Sequence, residues 1–494
     1  MEPTKKSLFE YICENVSEDG GRCLFFTEEE QYSVRDVYDR ISSLATLLGE
    51  NGIGSGDMVA LSCPRLVDTA LLFFTLQSMG VVTVLCDPHT CAEEFVKATG
   101  IELPVKAFLN FEYERWTLSV NESRLHFCMG ASKHDVQYRF PAIDVKAPAL
   151  IVFTSGSTGK SKGVVLSQYN YLNYVVNYRP NGNYSNDDIS PEVLPLHHVF
   201  GLAVILTGLI NRYQVFFPKI IRPDYIAACI EKYRLTRLDG VPSFAYALAD
   251  TVLAKGYDTS SLRVGVLGGA PSSRTHFDYI QNTLGLKLVP AYGQSECLVI
   301  SGVSAEASDD DRATSVGRFL EMSRGYILDR DGNELPDGQE GEICVNAPEV
   351  MLGYYNDPEE TAKAIDPQGR LHTGDLGYVD ARGFLHISGR IKDIIIRNGN
   401  NLSVLSIEKK LSTLPFIAQS AVVGVKDESC GEVPAALIVL KDEQPYDEEA
   451  VKAVLVKNEF PKYIQFVGSI PLTSSGKPDK QRIKSLFEEG SFHG

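Results

Sequence analysis

Apolar positions in the first part of the chain switch between two periods. Met58 to Cys63 reads as a strand, Leu66 to Met79 as a helix, and Val81 to Leu85 as a strand again. This strand–helix–strand rhythm predicts a mostly parallel sheet. The longest apolar stretch, Ala70 to Cys86, is broken by Gln77, Ser78 and Gly80, which suits a buried helix and strand better than a membrane span. Residues 92 to 146 carry little pattern, and Trp116, the single tryptophan, reads as packing. A second apolar run, Ala149 to Phe153, leads into TSGSTGKSKG at 154 to 163, and Val164 to Asn177 is expected to be helical. Tyr213 to Phe217 and Arg263 to Leu267 are short strands with helical stretches between them. Residues 324 to 345 read as a hairpin-rich β segment, with turns at Asp331-Gly332 and Asp337-Gly338, and Phe384 to Ser388 is strand-like.

The pattern shifts at 389 to 401, where a charged, glycine-initiated segment separates two apolar strands. Such a shift marks a domain boundary. The remainder reads β-α-β-β-α-β: Asp393 to Ile396, Val404 to Leu411, Gln419 to Val425, Ala435 to Leu440, Glu448 to Glu459 and Tyr463 to Val467. That is a small α+β domain.

Composition narrows the function. A chain of 494 residues is long enough for about two to four domains. A net charge of −17 argues against a general binder of nucleic acid or anionic membrane. An anionic substrate would need a locally positive site. The ten cysteines are scattered, with no CxxC pair, which predicts reduced thiols in a cytoplasmic protein and no zinc motif. The opening MEPTKKSLFEYICEN lacks the apolar core of a signal peptide, and no stable membrane insertion is expected.

TSGSTGKSKG is the strongest candidate for chemistry. Gly156, Gly159 and Gly163 free the backbone, while Ser155, Ser157, Thr158, Ser161, Lys160 and Lys162 offer hydroxyls and positive charge. Such a loop can wrap polyphosphate. A plain surface turn is the alternative, and the preceding strand and the lysine density weigh against it. It is not a Walker A loop, because only Ser157 and Thr158 separate Gly156 from Gly159-Lys160. The histidine pair in EVLPLHHVFG (192 to 201) is a poor metal site, since adjacent side chains diverge and no third ligand is near in sequence. Gly268-Gly269-Ala270-Pro271 ends a strand, where open α/β sheets meet ligands. AYGQSE (291 to 296), HTGDLGYVD (372 to 380), GRIKD (389 to 393) and SSGK (474 to 477) follow in order.

In this order and spacing, these pieces resemble the adenylate-forming superfamily of acyl-CoA synthetases, peptide-synthetase adenylation domains and beetle luciferases, and above all its fatty- and aryl-acid CoA ligases. The resemblance implies an α/β N-terminal domain over 1–388 with mostly parallel sheets and a β subdomain, a hinge at 389–393, and a small mobile α+β lid over 394–494. It implies two half-reactions: a carboxylic acid and Mg·ATP give an acyl-adenylate and pyrophosphate, then a thiol, usually of coenzyme A, takes the acyl group. By the same resemblance, Thr154, Ser155, Ser157, Thr158 and the N–H groups of Gly156 and Gly159 hold the β- and γ-phosphates, with Lys162 as a further contact. Glu296 holds Mg²⁺, Tyr292 stacks on adenine beside Gly293 and Ser295, and Gly268 to Pro271 border the base. Asp375 accepts from the ribose hydroxyls with Arg390 beside it. Lys477 reaches between the substrate carboxylate and the α-phosphate, and Lys392 is the hinge residue. His198, Gly201, Val241, Gly268 and Cys297 belong to the acyl site, where His198 could instead gate the thiol tunnel.

Amino-acid-activating relatives pair the substrate ammonium with an aspartate soon after the acyl-site motif. The stretch from Val199 to Phe217 has no acid, so an acid with an apolar body is expected. Ser161 stands where proline is usual and Ser295 where threonine is usual. Arg397-Asn398-Gly399-Asn400 replaces an RGGE-type turn, and Val404 replaces a proline. These last departures leave the phosphopantetheine of an acyl carrier protein as the rival acceptor. A P-loop phosphotransferase or nucleotide-binding module is the alternative from another class.

Overall fold

The computed structural model describes residues 2–121, 123–127, 129, 138–155, 161–427, 429–441, 444–472 and 478–489. Met58–Ser62 and Val82–Cys86 pair in parallel, with the helix Val67–Ser78 between them in sequence. That helix is buried from Thr69 to Ser78, which is why its sequence shows no polar face. Gln77, which interrupts the apolar run, is fully buried and fully used. Its amide donates to Thr83 Oγ1 at 2.8 Å and to the Ala149 carbonyl at 2.9 Å, and its Oε1 accepts from the Tyr171 hydroxyl at 2.8 Å.

The largest sheet has eight strands. Its spatial order is Gly353–Tyr354, Ser161–Ser167, Pro148–Ser155, Val82–Cys86, Met58–Ser62, Val105–Glu112, Arg115–Val120 and Ser123–Phe127. The centre is parallel and both flanks are antiparallel. This sheet is therefore mixed, parallel at its centre and antiparallel at its edges. On one flank, Tyr113 and Glu114 both adopt positive φ (50° and 62°), the backbone of a two-residue hairpin, within the stretch whose sequence shows little pattern. Trp116 is buried there, its indole N–H donating to Asp68 Oδ2 at 3.1 Å.

The larger departure follows the glycine-rich loop. Val164 does not open a helix. Ser161–Ser167 is a strand antiparallel to Pro148–Ser155, and the helix begins only at Gln168. Val164 to Ser167 are buried on both faces, an environment that suits the β-branched Val164-Val165 pair in a strand. Ser167 then supplies the helix cap, reciprocated by Asn170.

Three four-stranded sheets complete the large part. In the first, Ile189–Pro191, Gln214–Phe216 and Cys23–Phe26 are parallel, with Gln31–Ser33 antiparallel at the edge. The second collects Val264–Leu267, Lys287–Gln294, Cys297–Gly302 and Arg318–Phe319. The third is antiparallel throughout, with Arg324–Leu328, Gly341–Asn346, Leu371–Val379 and Leu385–Arg390.

Past Arg390 a five-stranded sheet gathers Asn400–Ser403, Ile394–Arg397, Gly431–Leu440, Ile417–Asp427 and Tyr463–Phe466. It buries two apolar clusters of its own, one around Ile407, Val422 and Ile438, the other around Val423, Leu437 and Ile483. Two elements go beyond the sequence pattern: the strand Asn400–Ser403, turned by Asn398 and Gly399 at positive φ, and the helix Lys480–Glu488. Among the described residues no helix is long and apolar enough to cross a membrane.

Candidate active site

The antiparallel hairpin sets the first wall. Thr154 lies opposite Lys162, and Ser155 pairs through its backbone with Ser161. Gly156, Ser157, Thr158 and Gly159 lie outside the described residues, as does Lys477. With a strand instead of a helix after the loop, a phosphate held here does not draw on the N-terminus of a helix that follows the loop directly. It must rely on backbone N–H groups, hydroxyls and lysine. The strand–loop–helix arrangement of a P-loop phosphotransferase is not present.

Lys162 is committed on two sides. Its ammonium sits 4.7 Å from the ring centroid of Tyr354 and pairs with the carboxylate of Glu360. Tyr354 belongs to the short strand that pairs with Val164 and Val165, and its hydroxyl donates to Glu296 Oε1 at 2.8 Å. Burial, then the Glu296 charge, pushes that hydroxyl above the ordinary tyrosine range. Glu296 stands with Ser295 in the two-residue turn between Lys287–Gln294 and Cys297–Gly302. Its carbonyl accepts from the Met351 N–H at 2.8 Å. Only glycine fits before that turn, because a Cβ on Gly293 would lie 2.0 Å from the Leu298 carbonyl oxygen. Tyr354 thus joins the candidate phosphate lysine to the candidate metal ligand.

The candidate nucleoside end is built on the same strand. The Tyr292 hydroxyl donates to Asp375 Oδ2 at 2.6 Å, and Arg390 Nε donates to Asp375 Oδ1 at 2.7 Å. Asp375 and Arg390 are register partners on Leu371–Val379 and Leu385–Arg390. Asp375 is 3% exposed. Burial, and then Asp375, raises the Tyr292 hydroxyl well above its ordinary value. Burial is the largest single influence and draws Arg390 down, but the Asp375 charge, its hydrogen bond and the Asp393 charge together outweigh it and the guanidinium rises. Tyr292 has given its hydroxyl to Asp375, so its ring is what it can offer a base.

The segment carrying Asp375 is held from behind. Glu342 Oε1 accepts from the Gly374 N–H at 3.0 Å, and Glu342 Oε2 lies 2.9 Å from His372 Nδ1. The Thr373 hydroxyl donates to the Ile343 carbonyl at 2.7 Å and accepts from the Asp375 N–H at 3.1 Å. Cys344 Sγ completes the group 3.4 Å from His372 Nδ1, and burial pushes its thiol up to about 12. Glu342, Cys344 and His372 are close enough for a metal ion. Each oxygen of the carboxylate is already engaged, and the group orients Asp375.

The candidate acyl side is where two motifs touch. Gly268, Gly269, Ala270 and Pro271 follow Val264–Leu267, and Gly269 takes a positive φ of 80°. A Cβ on Gly268 would lie 3.1 Å from the Phe200 ring, so the glycine turn and the PLHHVFG segment are in contact. His198 precedes the helix Val199–Asn211 in extended backbone, its ring 4.3 Å from that of His197. A Cβ on Gly201 would meet the Pro195 carbonyl oxygen at 2.3 Å. Val241 precedes the helix Pro242–Lys255, and Cys297 is fully buried. His197 lies 3.7 Å from Asp87, and burial lowers its pKa. The acid-free stretch from 199 to 217 is preceded by Glu192, fully buried, whose carboxyl burial pushes well above the usual range.

Lys392 is exposed in a single 3₁₀ turn, Ile391–Asp393, between the strand ending at Arg390 and the one opening at Ile394. The Ser403 hydroxyl donates to the Ser388 carbonyl at 2.6 Å, and Lys409 Nζ to the Ile387 carbonyl at 3.2 Å. The small domain thus leans on the strand before the turn. Sequence reasoning does not single out Tyr354, Glu360 or Glu342. Their only signals are the GYYND turn before a short helix and a lone acid in a mostly apolar strand.

Residues 14–355 match the AMP-binding enzyme family, and 406–477 match the AMP-binding enzyme C-terminal domain. The chain is 29% identical over 522 aligned residues to 4-coumarate–CoA ligase 2 of Nicotiana tabacum, covering 99% of this chain and 96% of the other. It is 30% identical over 465 residues to 4-coumarate-CoA ligase 1 of Narcissus pseudonarcissus, covering 88% and 85%. Its fold matches the ATP-bound crystal structure of MatB from Rhodopseudomonas palustris with a TM-score of 0.85 at 25% identity, over 98% of this chain and 99% of that one.

Proposed function

This chain belongs to the AMP-binding enzyme family, and we propose how its residues carry out AMP-forming acid–thiol ligation on a carboxylic acid with an apolar body, fatty or aryl. The reaction has two halves. A carboxylate oxygen attacks the α-phosphorus of ATP and pyrophosphate leaves. The sulfur of coenzyme A then attacks the acyl carbon and AMP leaves.

The observation that carries this reading is that one strand and its turn bear both ends of a nucleotide site. Tyr292 meets Asp375, which also holds Arg390, and four residues on Glu296 meets Tyr354 and, through its ring, Lys162. In the first half-reaction two anions approach each other, so cations must offset the charge that gathers on pyrophosphate. Lys162 and the hairpin tip take the β- and γ-phosphates. Asp375 keeps lone pairs for the ribose hydroxyls beyond those given to Tyr292 and Arg390. A hard cation suits the oxygen donors at hand, and Glu296 is the residue that would hold Mg²⁺. The ion supplies charge neutralisation on the triphosphate. Lys477, on the small domain, bridges the substrate carboxylate and the α-phosphate. Rotation about Lys392 withdraws it for the second half, when His198 faces the incoming thiol.

The glycines at 201 and 268 and the buried Cys297 support an apolar acyl chamber. The names of the two plant relatives support an aryl acid. Free thiols at the described cysteines support a cytoplasmic enzyme. Incubation with Mg·ATP and a series of aryl, fatty and amino acids should release pyrophosphate with the first two classes and trap hydroxamate with hydroxylamine. Coenzyme A should then accept the acyl group. Thioester on an added phosphopantetheinylated carrier protein but not on coenzyme A would replace the acceptor, and silence with every acid would overturn the reading.

A further inference from the structure

Glu360 lies outside every motif that carries the reaction, yet its carboxylate is the direct partner of the phosphate-loop lysine. Asp357 caps the helix Pro358–Ala364, and the cap aims the first turn of that helix at the hairpin. From there Glu360 Oε2 contacts Lys162 Nζ, while its Oε1 accepts from Lys363 Nζ at 2.6 Å. The side chains of Lys162 and Glu360 are 21% and 31% exposed, so neither is fully screened by water. The hydrogen bonds from Lys162 and then Lys363 hold the Glu360 carboxyl down to about 2, and it stays ionised across the working range of any ordinary enzyme. Lys162 is simultaneously fixed over the Tyr354 ring, whose hydroxyl holds Glu296.

We infer that Glu360 is an internal stand-in for the triphosphate: a positioning residue that keeps Lys162 aligned along the Tyr354–Glu296 axis, competes with ATP for it, and reclaims it as pyrophosphate departs. The inference rests on the reading that the hairpin tip holds the triphosphate. An ammonium has three protons and a strong pull on any nearby anion. Without a resident partner Lys162 would be free to fold elsewhere; with one, it stays on its axis, and the incoming anion must displace a carboxylate. Such a swap weakens binding of the substrate anion and of the product anion alike. No bond is made or broken in it; only the partner of one ammonium changes.

The test is Glu360→Gln, measured by pyrophosphate release at varied ATP, by inhibition with added Mg·pyrophosphate, and by calorimetric titration with Mg·ATP. A partly exposed pair of this kind predicts that the KM for ATP and the pyrophosphate inhibition constant both fall about two- to fivefold, with the KM for the acid unmoved. Glu360→Asp, which keeps the charge on a shorter stem, should lower the KM for ATP less than Glu360→Gln does. The effect should vanish when Lys162→Met is already present, because the carboxylate acts only through that ammonium. A KM for ATP that is unchanged or higher in Glu360→Gln would overturn the inference, as would a shift that persists beside Lys162→Met. Lys162→Met with the same KM for ATP as the unsubstituted enzyme would instead overturn the phosphate-site reading beneath it, and the inference with it.

Discussion

Asp375→Asn keeps the shape of a 3% exposed side chain and removes its charge. The two carboxylate oxygens accept from Tyr292 at 2.6 Å and Arg390 at 2.7 Å. An asparagine has one acceptor oxygen and two N–H donors. The oxygen must stay with Arg390, which can only donate. The new NH₂ then faces Tyr292, whose hydroxyl can turn to accept. The folded protein therefore tolerates the change, and what disappears is acceptor capacity for a diol and the charge behind it. A hydrogen bond to a charged group contributes roughly 1.5–3 kcal/mol. At about 1.4 kcal/mol per decade, the KM for ATP should rise about 10- to 150-fold. The KM for the acid should move less than about threefold, since no part of that site depends on Asp375. Initial rates of pyrophosphate release, taken against ATP at saturating acid and then the reverse, separate the two. An ATP KM within about threefold of the parent, or a larger shift for the acid, would refute the ribose assignment.

Two further outcomes are expected. Burial pushes the Glu349 carboxyl up to about 7, against an ordinary value of 4.5, with Asn177 donating to its Oε1 at 2.9 Å. The folded state holds the proton that the unfolded state releases, so this contribution is fully present below about pH 4.5, fades as pH rises to about 7, and is then gone. Its span is on the order of 3 kcal/mol. Glu349→Gln should flatten that part of the denaturation-midpoint profile between about pH 4.5 and 7, and an unchanged slope would refute it. Lys477→Ala should suppress adenylate formation yet leave thiolysis of supplied acyl-adenylate largely intact; equal loss of both would contradict the two-arrangement mechanism.

Much of the fold is legible in the chain because burial and period agree. Met58 to Cys86 and Val404 to Leu411 fall where their apolar spacing puts them. The stretch after the glycine loop misleads, because Val164 to Asn177 contains a strand buried on both faces, which has no alternation to show, followed directly by a helix. The candidate nucleotide end is marked in the sequence by YGQSE and HTGD, and the structure brings Tyr292 and Asp375 of those motifs together. Tyr354 and Glu360 have no sequence signal beyond the GYYND turn before a short helix. They reach the site only because Gly353–Tyr354 adds itself to the edge of a sheet whose other strands lie far away in the chain.

That added edge has a mechanical consequence. Gly353–Tyr354 is sewn to the outer arm of the hairpin through Val164 and Val165, and Met351, just upstream, is tied to the Glu296 carbonyl. A tug on the hairpin tip, as when a polyanion settles into it, would be felt at the glutamate by way of backbone alone. Loosening that seam, for example by proline at Leu352, whose N–H holds the Val165 carbonyl, would uncouple the two ends without removing any polar side chain of the site.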